Sequence, residues 1–508
     1  MTRPRLNSLW LARARQAIDP TSGLALPHYR PDAHGAGIVH LGPGAFHRAH
    51  QAVYTDEVLA RHGGDWRTTE ISLRSTTVVD DLTAQDGLYT VLVRDGQTTR
   101  ARVIGSVAAA IAASRNPQAA MAVLASPQTR VVTATVTEKA YGIDRATRQI
   151  QRDHPAIAHD LAHPDSPGGV IGLLLWAIRQ RRAQGVAPFT VLCCDNLPSN
   201  GKLLQAGVCD MAQRQDPALA SWISTQVPFP CSMVDRITPA STAQTLADAA
   251  LATGCEDLAA VETEPFSMWV MEDNFSMGRP AWEDAGALMV DDVAPYEHMK
   301  LRMLNGAHSL LAYAGHVAGY HYVRDAMGDT HLAQAADRHM RAAAGTLQPL
   351  AGVDFDDYAA ELHARFANPA IAHECWQIAM DGTEKLPQRI LQAALDCVAA
   401  GGDIRPFAFV TAAWMRYCLG VTDAGNQYAL RDPREAEIAL AIQGHERDAQ
   451  ALCACLMALP GLFPDRLRES PAWCTTVSGY LHIMLAQGMR AALGGPNSPT
   501  SRLASRSD

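Results

Sequence analysis

The chain has 508 residues, of which 48% are hydrophobic and 19% are charged, and its formal net charge is −9 at pH 7. Its length predicts two domains with separate apolar cores, and it has no apolar run long enough to predict a membrane span. A net negative charge without clusters of lysine and arginine argues against nucleic acid and anionic membranes as partners and favours a small-molecule ligand.

The cysteines predict reduced thiols. There are 11 of them, Cys193 and Cys194 are adjacent, and no paired C-x-x-C motif occurs. This pattern fits free thiols better than a disulfide framework or a zinc site. The first residues, MTRPRLNSLWLARARQ, lack the continuous apolar segment of a secretory signal. We therefore expect a cytoplasmic protein.

A glycine turn follows the first predicted strand, residues 38–41, and precedes a predicted helix over 48–60. Gly42 and Gly44 in such a turn let the backbone approach a pyrophosphate, which the start of the next helix attracts. The pattern G-x-G-x-x-G would place a third glycine where His47 stands. An ordinary glycine turn therefore remains an alternative.

Further strands are predicted over 68–73, 130–137 and 189–194, with helical segments such as 168–184 between some of them. This alternation predicts a largely parallel sheet. The segment 89–104 differs, because Arg94-Asp-Gly between two β-rich runs is a hairpin signal. We expect antiparallel strands to be added there.

Asn196 directly follows the strand predicted over 189–194. Open α/β sheets bind ligands just beyond the carboxyl ends of their strands, which gives this amide a possible role in a site. The alternative is that Asp195 and Asn196 only form a turn before Pro198.

After about residue 295, helical periodicity replaces strand-like alternation. The predicted fold class is an α/β N-terminal domain, with a mostly parallel sheet and antiparallel additions, followed by a mainly α-helical C-terminal domain. The predicted domains are 1–290 and 291–493. Residues 494–508 are rich in Gly, Ser and Pro and are predicted to be a disordered tail.

Lys300, Asn305 and His308 form the most chemically suggestive group. At about 100° per residue in an α-helix, Asn305 lies roughly 140° and His308 roughly 80° from Lys300, so a flexible lysine could share a pocket with both. An amine, an amide and an imidazole can take a proton from an alcohol and hold the resulting oxyanion without a metal. The alternative is that Lys300 extends to solvent while the other two bond each other or the backbone.

Six segments together resemble the mannitol dehydrogenase family, the polyol-specific long-chain dehydrogenases. They are collinear, and the match covers most of the chain, from roughly residue 37 to beyond residue 414. The segments are GPGAFHRAHQ at 42–51, TE at 137–138, CDN at 194–196, MVDRITP at 233–239, EPF at 264–266 and KLRMLNGAH at 300–308.

The resemblance implies a Rossmann-like N-terminal domain and a metal-independent oxidoreductase that uses NAD, with NADP not excluded. Such an enzyme interconverts a polyol or aldonate with its 2-ketose or ketouronate. Lys300 would act as general base in oxidation and general acid in reduction, which requires part of the amine to be neutral at the working pH. Asn196 and Asn305 would donate hydrogen bonds to the substrate oxygen, and His308 would position the substrate.

Further roles follow from the same resemblance. Asp235 would accept hydrogen bonds from substrate hydroxyls, or alternatively pair with Arg236. Glu138 would relay protons, or alternatively cap a turn. The dinucleotide site would be shaped by Gly42, Gly44, Phe46 and Arg74, while Arg48 would be either a phosphate contact or a solvated helix residue.

Two departures bear on the substrate and the cofactor. The stretch 73–77, LRSTT, lacks the acidic residues that clamp the ribose of NAD, so NADP stays open. Gln377 stands where mannitol-oxidising relatives have arginine, and the stretch 376–389 resembles the fructuronate reductase branch, also called mannonate oxidoreductase. Residues 73–75 instead resemble the mannitol dehydrogenases more closely. A uronate carboxylate needs a cation, for which Lys385 and Arg389 are candidates, although Arg389 could be structural.

Three other functions remain as alternatives. The first is mannitol 2-dehydrogenase activity on mannitol and fructose. The second is a dinucleotide-binding sensor without catalysis, which the intact set of polar residues argues against. The third is a zinc alcohol dehydrogenase, for which His47 and His50 are the only suggestive pair, with no third ligand evident in the sequence. We therefore predict no metal, and we make no prediction of the oligomeric state.

Overall fold

The computed structural model describes residues 3–17, 23–96 and 98–494. The chain divides into two compact units, Met1–Ala294 and Pro295–Asp508. The boundary predicted at 290 and 291 lies a few residues before this division. The predicted tail lies outside the described residues, except Gly494, which ends a helix.

Strands occur only in the first unit of the described chain. They are β1 (Leu24–Ala25), β2 (Ala36–Leu41), β3 (Arg67–Ser72), β4 (Tyr89–Asp95), β5 (Thr98–Ile104), β6 (Val107–Ala112), β7 (Val131–Ala134), β8 (Thr190–Cys193), β9 (Ser232–Asp235), β10 (Val261–Thr263), β11 (Met268–Glu272) and β12 (Leu288–Val290).

In the described part of the first unit, ten α-helices alternate with these strands. They are α1 (Ser8–Ala17), α2 (Ala45–Ala49), α3 (Gln51–His62), α4 (Thr77–Ala84), α5 (Pro117–Ala125), α6 (Pro155–Ala162), α7 (Val170–Ala183), α8 (Asn200–Gln215), α9 (Pro217–Gln226) and α10 (Ala243–Thr253). Short 3₁₀ helices occur at Pro31–Ala33, Glu138–Tyr141 and Trp282–Ala285.

The main sheet has five parallel strands in the order β6-β3-β2-β7-β8. This is the strand order of a doubly wound dinucleotide-binding fold, in which the direction of winding reverses between β2 and β7. β2 is almost wholly buried because helices cover both faces of the sheet. The four strands predicted for this sheet are confirmed, although β7 ends at Ala134, three residues before the end predicted at 137.

Two smaller sheets complete the unit. β4 and β5 form the predicted antiparallel hairpin, flanked by β1 and β10 as parallel neighbours. β9 pairs antiparallel with β11, which pairs in parallel with β12. The predicted mixture of a parallel sheet and antiparallel additions is therefore confirmed.

The prediction of one continuous helix over 48–60 is wrong, because His50 separates two helices, α2 and α3. α2 ends before His50, whose backbone leaves the helical region at φ −121° and ψ −90°. The buried His50 ring has its Nε2 atom 3.0 Å from the carbonyl oxygen of Met268 and stacks on Phe46. These tertiary contacts hold the kink, and no glycine or proline marks it in the sequence.

The described part of the second unit is helical, as predicted. Its α-helices are α11 (Ala294–Met299), α12 (Gly306–Val317), α13 (Val323–Met327), α14 (Thr330–Ala344), α15 (Phe355–Phe366), α16 (Cys375–Ala379), α17 (Gly382–Leu386), α18 (Gln392–Ala399), α19 (Arg405–Tyr417), α20 (Glu435–Ile442), α21 (Ala449–Met457), α22 (Asp465–Arg468), α23 (Pro471–Gln487) and α24 (Met489–Gly494). Two segments are π-helical, Lys300–Asn305 and Pro387–Leu391.

All eleven cysteines are free, as predicted. Among the described residues, no helix combines the length and the apolar composition that a membrane crossing needs.

Candidate active site

The glycine turn lies at the carboxyl end of β2, next to the point where the main sheet reverses its winding. Gly42 has φ +98°, and a Cβ there would lie 2.3 Å from the carbonyl oxygen of Thr135, so only glycine fits. Gly44 has open space around it, because a Cβ added there would have the carbonyl oxygen of Gly42, at 3.9 Å, as its nearest neighbour. The turn therefore offers the close backbone approach that a pyrophosphate requires.

A buried polar network lies beneath this turn. The imidazole of His47 stacks on that of His40 with ring centroids 3.3 Å apart. His47 Nε2 lies 2.7 Å from Glu70 Oε1, and His40 Nε2 lies 3.0 Å from the carbonyl oxygen of Gly42. His47 occupies the third-glycine position because its ring connects α2 to β2 and β3. The glycine motif at 42–47 did not indicate that His47 would contact His40 and Glu70.

The structure separates the two histidines that the sequence analysis considered as a metal-binding pair. His47 groups with His40 and Glu70, whose potential ligand atoms all lie within 4.8 Å of one another, whereas His50 faces Met268. Both nitrogens of His40 already have partners, since Nδ1 lies 2.7 Å from Thr133 Oγ1. Stacked rings also do not point their nitrogens at one common position, so the geometry is that of a hydrogen-bonded network.

Of the other residues predicted for the dinucleotide site, Phe46 is half-buried and Arg74 is exposed after β3. The expectation that Arg48 is a solvated helix residue is wrong. Its side chain is buried and donates to the carbonyl oxygens of Pro43 and Ala259. Arg48 therefore supports the turn from inside the fold.

Asp195, rather than Asn196, ties the loops after β7 and β8 together. Its carboxylate accepts from the backbone N–H groups of Val136 and Thr137 and, at 2.6 Å, from the hydroxyl of Tyr141. Burial raises the pKa of Asp195. Asn196 is exposed at the end of β8, on a loop that this carboxylate holds in place.

Glu138 and Asp235 occupy different environments. Glu138 is exposed and forms an ion pair with Arg145, which the sequence did not indicate. Asp235 is buried at the end of β9. Arg236 does not pair with it among the described residues, because its guanidinium donates to the carbonyl oxygens of Ala49 and Glu264.

Lys300 begins a π-helix, which corrects the α-helical angles used in the sequence analysis. A π-helix closes its hydrogen bonds over five residues, so the predicted offsets of roughly 140° and 80° do not hold. Such segments are frequent at functional sites. Lys300 is half-buried, whereas Asn305 and His308 are buried.

The π-helix is anchored by buried polar contacts. Arg302 donates to Thr346 and, at 2.6 Å, to the carboxylate of Asp396. His339 Nε2 donates to the carbonyl oxygen of Arg302 at 3.1 Å. Gly306 makes room for this imidazole, because a Cβ there would lie 2.3 Å from His339 Nε2. These contacts satisfy backbone groups that an irregular helix exposes.

Asn305 and His308 carry buried polar atoms without partners. Among the described residues, Asn305 Nδ2 and His308 Nε2 have no hydrogen-bond partner. The ring of His308 lies between those of Phe366 and His373, with centroids 5.2 Å and 4.9 Å away. The two residues do not satisfy each other, so that structural alternative is not supported. Unpaired buried polar atoms of this kind call for a functional explanation.

Basic side chains of the second unit act electrostatically on His308. Burial lowers its pKa well below the ordinary value, and the charges of His373, Arg389, Arg365 and Lys385 lower it further. Arg389 donates to the hydroxyl of Ser309, the neighbour of His308, at 3.1 Å. Lys385 donates to the carbonyl oxygens of Ile378 and Met380. Gln377 is exposed on α16.

Family models match both units. The model described as the mannitol dehydrogenase Rossmann domain matches residues 36–284, and that of the mannitol dehydrogenase C-terminal domain matches residues 292–481.

Individual proteins agree over nearly the whole chain. The chain is 42% identical to the uncharacterized oxidoreductase YeiQ of Escherichia coli (strain K12), over 92% of this chain and 96% of the relative. It is 40% identical to D-mannonate oxidoreductase of the same organism, over 93% and 98%. The solved ternary complex of Pseudomonas fluorescens mannitol 2-dehydrogenase with NAD and D-mannitol is 36% identical, with a TM-score of 0.81 over 99% of this chain and 100% of that one.

The family and the class of enzyme predicted from the sequence are thereby confirmed. The chain belongs to the mannitol dehydrogenase family of oxidoreductases.

Proposed function

We propose that the protein is an NAD-dependent, metal-independent reductase of D-fructuronate to D-mannonate that also works in reverse. The observation that carries this proposal is the pair of buried, unpartnered atoms Asn305 Nδ2 and His308 Nε2 amid the charges of Lys385 and Arg389. These side chains offer hydrogen bonds to hydroxyl or keto groups and cations to a carboxylate. The 40% identity to a D-mannonate oxidoreductase supports the same substrate class.

The cofactor fits the glycine turn, where Gly42 lets the chain turn sharply and Gly44 leaves space for a phosphate. We assign Phe46 and Arg74 to the same site. When bound, the cofactor would accept the hydride as NAD in oxidation and supply it as NADH in reduction. The solved mannitol 2-dehydrogenase, with NAD in its title, supports this choice.

Lys300 performs the proton transfer in the proposed mechanism. In oxidation its neutral amine takes the proton from the substrate hydroxyl, and in reduction its ammonium returns that proton to the developing alkoxide. Asn305 donates from Nδ2 to the same oxygen, and we assign Asn196 an equivalent role. Glu138, which is exposed, is suited to exchange protons with solvent.

His308 orients the substrate as a neutral imidazole. Because burial and neighbouring cations hold its pKa well below the ordinary value, the ring stays uncharged at neutral pH. It can therefore donate to or accept from a substrate hydroxyl through Nε2. We propose that Asp235 accepts hydrogen bonds from other hydroxyls of the substrate.

We propose the cytoplasm as the place of this reaction. Its support is the set of eleven free cysteines, which is typical of a reducing compartment.

A second candidate is mannitol 2-dehydrogenase activity, with D-mannitol and D-fructose as substrates. The structural likeness to the Pseudomonas fluorescens enzyme favours it. Gln377 favours the uronate instead, because an exposed amide stands where mannitol-oxidising relatives are expected to have arginine.

Steady-state rates distinguish the two candidates. Fructuronate, tagaturonate, fructose, mannitol and arabinitol are each tested with NAD(H) and NADP(H). We expect the highest kcat/KM for fructuronate with NADH. A kcat/KM for fructose equal to or above that for fructuronate would reject the uronate assignment in favour of the second candidate.

Arg389→Ala tests the cationic pocket. Loss of a charge-assisted hydrogen bond of about 1.5–3 kcal/mol lowers kcat/KM for fructuronate by roughly 10- to 100-fold. The value for fructose should change far less. Arg341→Ala, which removes an exposed arginine of the same unit, serves as the control. Equal losses with both substrates would mean that Arg389 is structural.

A further inference from the structure

A cavity lined by arginines lies in the first unit, apart from the glycine turn. Its volume is about 460 Å³, and three arginines line it: Arg100 and Arg102 on β5, and Arg236 after β9. Neither Gly42 nor Gly44 lines this cavity. The role proposed for the dinucleotide site therefore does not explain it.

Arg236 is the most constrained of these cations. Its guanidinium donates to the carbonyl oxygens of Ala49 and Glu264 through Nε, Nη1 and Nη2. A guanidinium has five N–H groups, so two remain for another acceptor. Among the described residues, no carboxylate forms an ion pair with Arg236. Carbonyl oxygens thus fix its orientation without neutralising its charge.

The other two arginines differ in their pairing. Arg102 is neutralised, because it donates at 2.7 Å to both Asp56 and Glu57. Arg100 is exposed, and within the described ranges it makes neither a hydrogen bond nor an ion pair. The cavity therefore holds two guanidinium groups, Arg100 and Arg236, that no acidic side chain of the described chain pairs with.

The remaining wall suits a small organic group. Val53, Val91, Val93 and Pro265 supply apolar surface, while Tyr54 and Ser267 supply hydroxyls. The Ser267 hydroxyl donates to that of Tyr54 at 3.2 Å, which leaves the Tyr54 proton for another acceptor. The volume exceeds what a single inorganic anion needs.

We propose that this cavity binds a phosphorylated small molecule, with Arg236 and Arg100 on the phosphate and the apolar wall beneath its organic part. Arg100 and Arg236 can both donate to one phosphate, whereas the Glu57 carboxylate, which also lines the cavity, is held by Arg102. The three terminal oxygens of a phosphate can also accept hydrogen bonds from the forked N–H groups of two arginines, whereas a single carboxylate has only two oxygens.

Isothermal titration calorimetry of the full chain at constant ionic strength tests the proposal. The probes are ribose 5-phosphate, inorganic phosphate and acetate. We expect saturable binding of ribose 5-phosphate, weaker binding of phosphate and none of acetate. Acetate binding as tight as that of phosphate, or no binding of either phosphate probe, would overturn the proposal.

Variants locate the site. Arg100→Ala should raise the Kd for ribose 5-phosphate at least tenfold and leave the melting temperature unchanged, because this exposed side chain bonds to none of the described residues. Arg152→Ala, which removes an exposed arginine of the same unit that does not line the cavity, should leave Kd unchanged. An unchanged Kd in Arg100→Ala, or an equal rise in Arg152→Ala, would show that binding occurs elsewhere.

Arg236→Gln gives a second, independent measurement. Its fold is checked by circular dichroism and by the melting temperature, since the wild-type side chain also holds two backbone carbonyl groups. A folded Arg236→Gln protein that binds ribose 5-phosphate like the wild type would reject the site. Binding is read here without catalysis, so a wrong substrate assignment for the enzyme does not affect the outcome.

Discussion

Nε2 of His47 lies 2.7 Å from Oε1 of Glu70, and both side chains are buried beneath the glycine turn. Burial raises the pKa of Glu70 to about 7 and lowers the pKa of His47 to about 3. Both shifts favour a neutral pair, in which a protonated carboxyl group donates to the imidazole. Protonation of Glu70, and with it the stability of this buried contact, should therefore change with pH.

Glu70→Gln should remove part of the pH dependence of stability. The pKa of Glu70 in the folded protein lies above the ordinary value of 4.5. Its contribution to the free energy of unfolding is therefore present below about pH 4.5 and is lost as the pH rises through 7. The melting temperature of the wild type should therefore fall relative to that of Glu70→Gln between pH 5 and 8. His47 has the opposite effect, because its contribution to the free energy of unfolding is present above pH 6.5 and is lost toward pH 3. Both proteins contain His47, so its effect largely cancels when their melting temperatures are compared.

Thermal unfolding across this pH range, followed by calorimetry, measures the effect. Glu256→Gln, at an exposed glutamate of the same unit, should show no such trend relative to the wild type. Parallel curves for wild type and Glu70→Gln would mean that Glu70 is ionised throughout.

Gly306→Ala should destabilise the second unit. The added Cβ would lie 2.3 Å from His339 Nε2 and 3.2 Å from the carbonyl oxygen of Arg389, so His339 must leave its bond to Arg302. We expect a loss of about 1–3 kcal/mol in the free energy of unfolding, typical of overpacking. Chemical denaturation provides the measurement.

Gly479→Ala is the matched control for that prediction. Gly479 lies inside α23 with open space around the Cβ position. Alanine should stabilise the helix there by about 0.5–1 kcal/mol. If both variants shift stability in the same direction, the close packing at Gly306 is not responsible for its effect.

Gly44→Ala should weaken dinucleotide binding without unfolding the protein. The backbone at Gly44 has φ −70°, which alanine tolerates, and no atom of the described residues occupies the space of the new methyl group. We expect the Kd for NADH, measured by fluorescence, to rise by about tenfold, or about 1.4 kcal/mol. Gly42→Ala, at φ +98°, should instead lower the melting temperature. Normal NADH binding by Gly44→Ala would place the cofactor elsewhere.

Lys300→Ala should abolish most turnover. Loss of a general acid and base lowers kcat by about 10²- to 10⁴-fold. A small primary amine added to the assay should restore part of the rate, because it can carry the same proton. Lys202→Ala, at an exposed lysine on α8, should retain the wild-type kcat. A kcat within tenfold of the wild type in Lys300→Ala would contradict the proposed mechanism.

Arg74→Ala tests how the enzyme distinguishes NAD from NADP. Arg74 is exposed directly after β3, where dinucleotide-binding folds contact the adenosine ribose. We expect kcat/KM with NADP to fall by about tenfold and that with NAD to change by less than about threefold, since a phosphate contact is worth about 1–2 kcal/mol. Equal changes with both cofactors would assign Arg74 no part in this discrimination.

Local patterns in the sequence predicted the elements of the fold well. Short β-rich segments predicted β2, β3, β7 and β8, and Arg94-Asp-Gly predicted the β4–β5 hairpin. These predictions hold because alternation, burial and turn chemistry act over a few residues. The family resemblance predicted the class of enzyme because its motifs are long and collinear.

Only the tertiary structure decided how the polar residues are used. The contact of His47 with Glu70, the bond from Arg48 to Ala259 and the bond from His339 to Arg302 join residues distant in sequence. The same holds for the π-helix at Lys300, where anchors from α14 and α18 outweigh a local α-helical preference. A buried polar group without a hydrogen-bond partner costs free energy. The geometry of such a group is therefore set by the partners that tertiary packing brings near it, and not by the sequence around it.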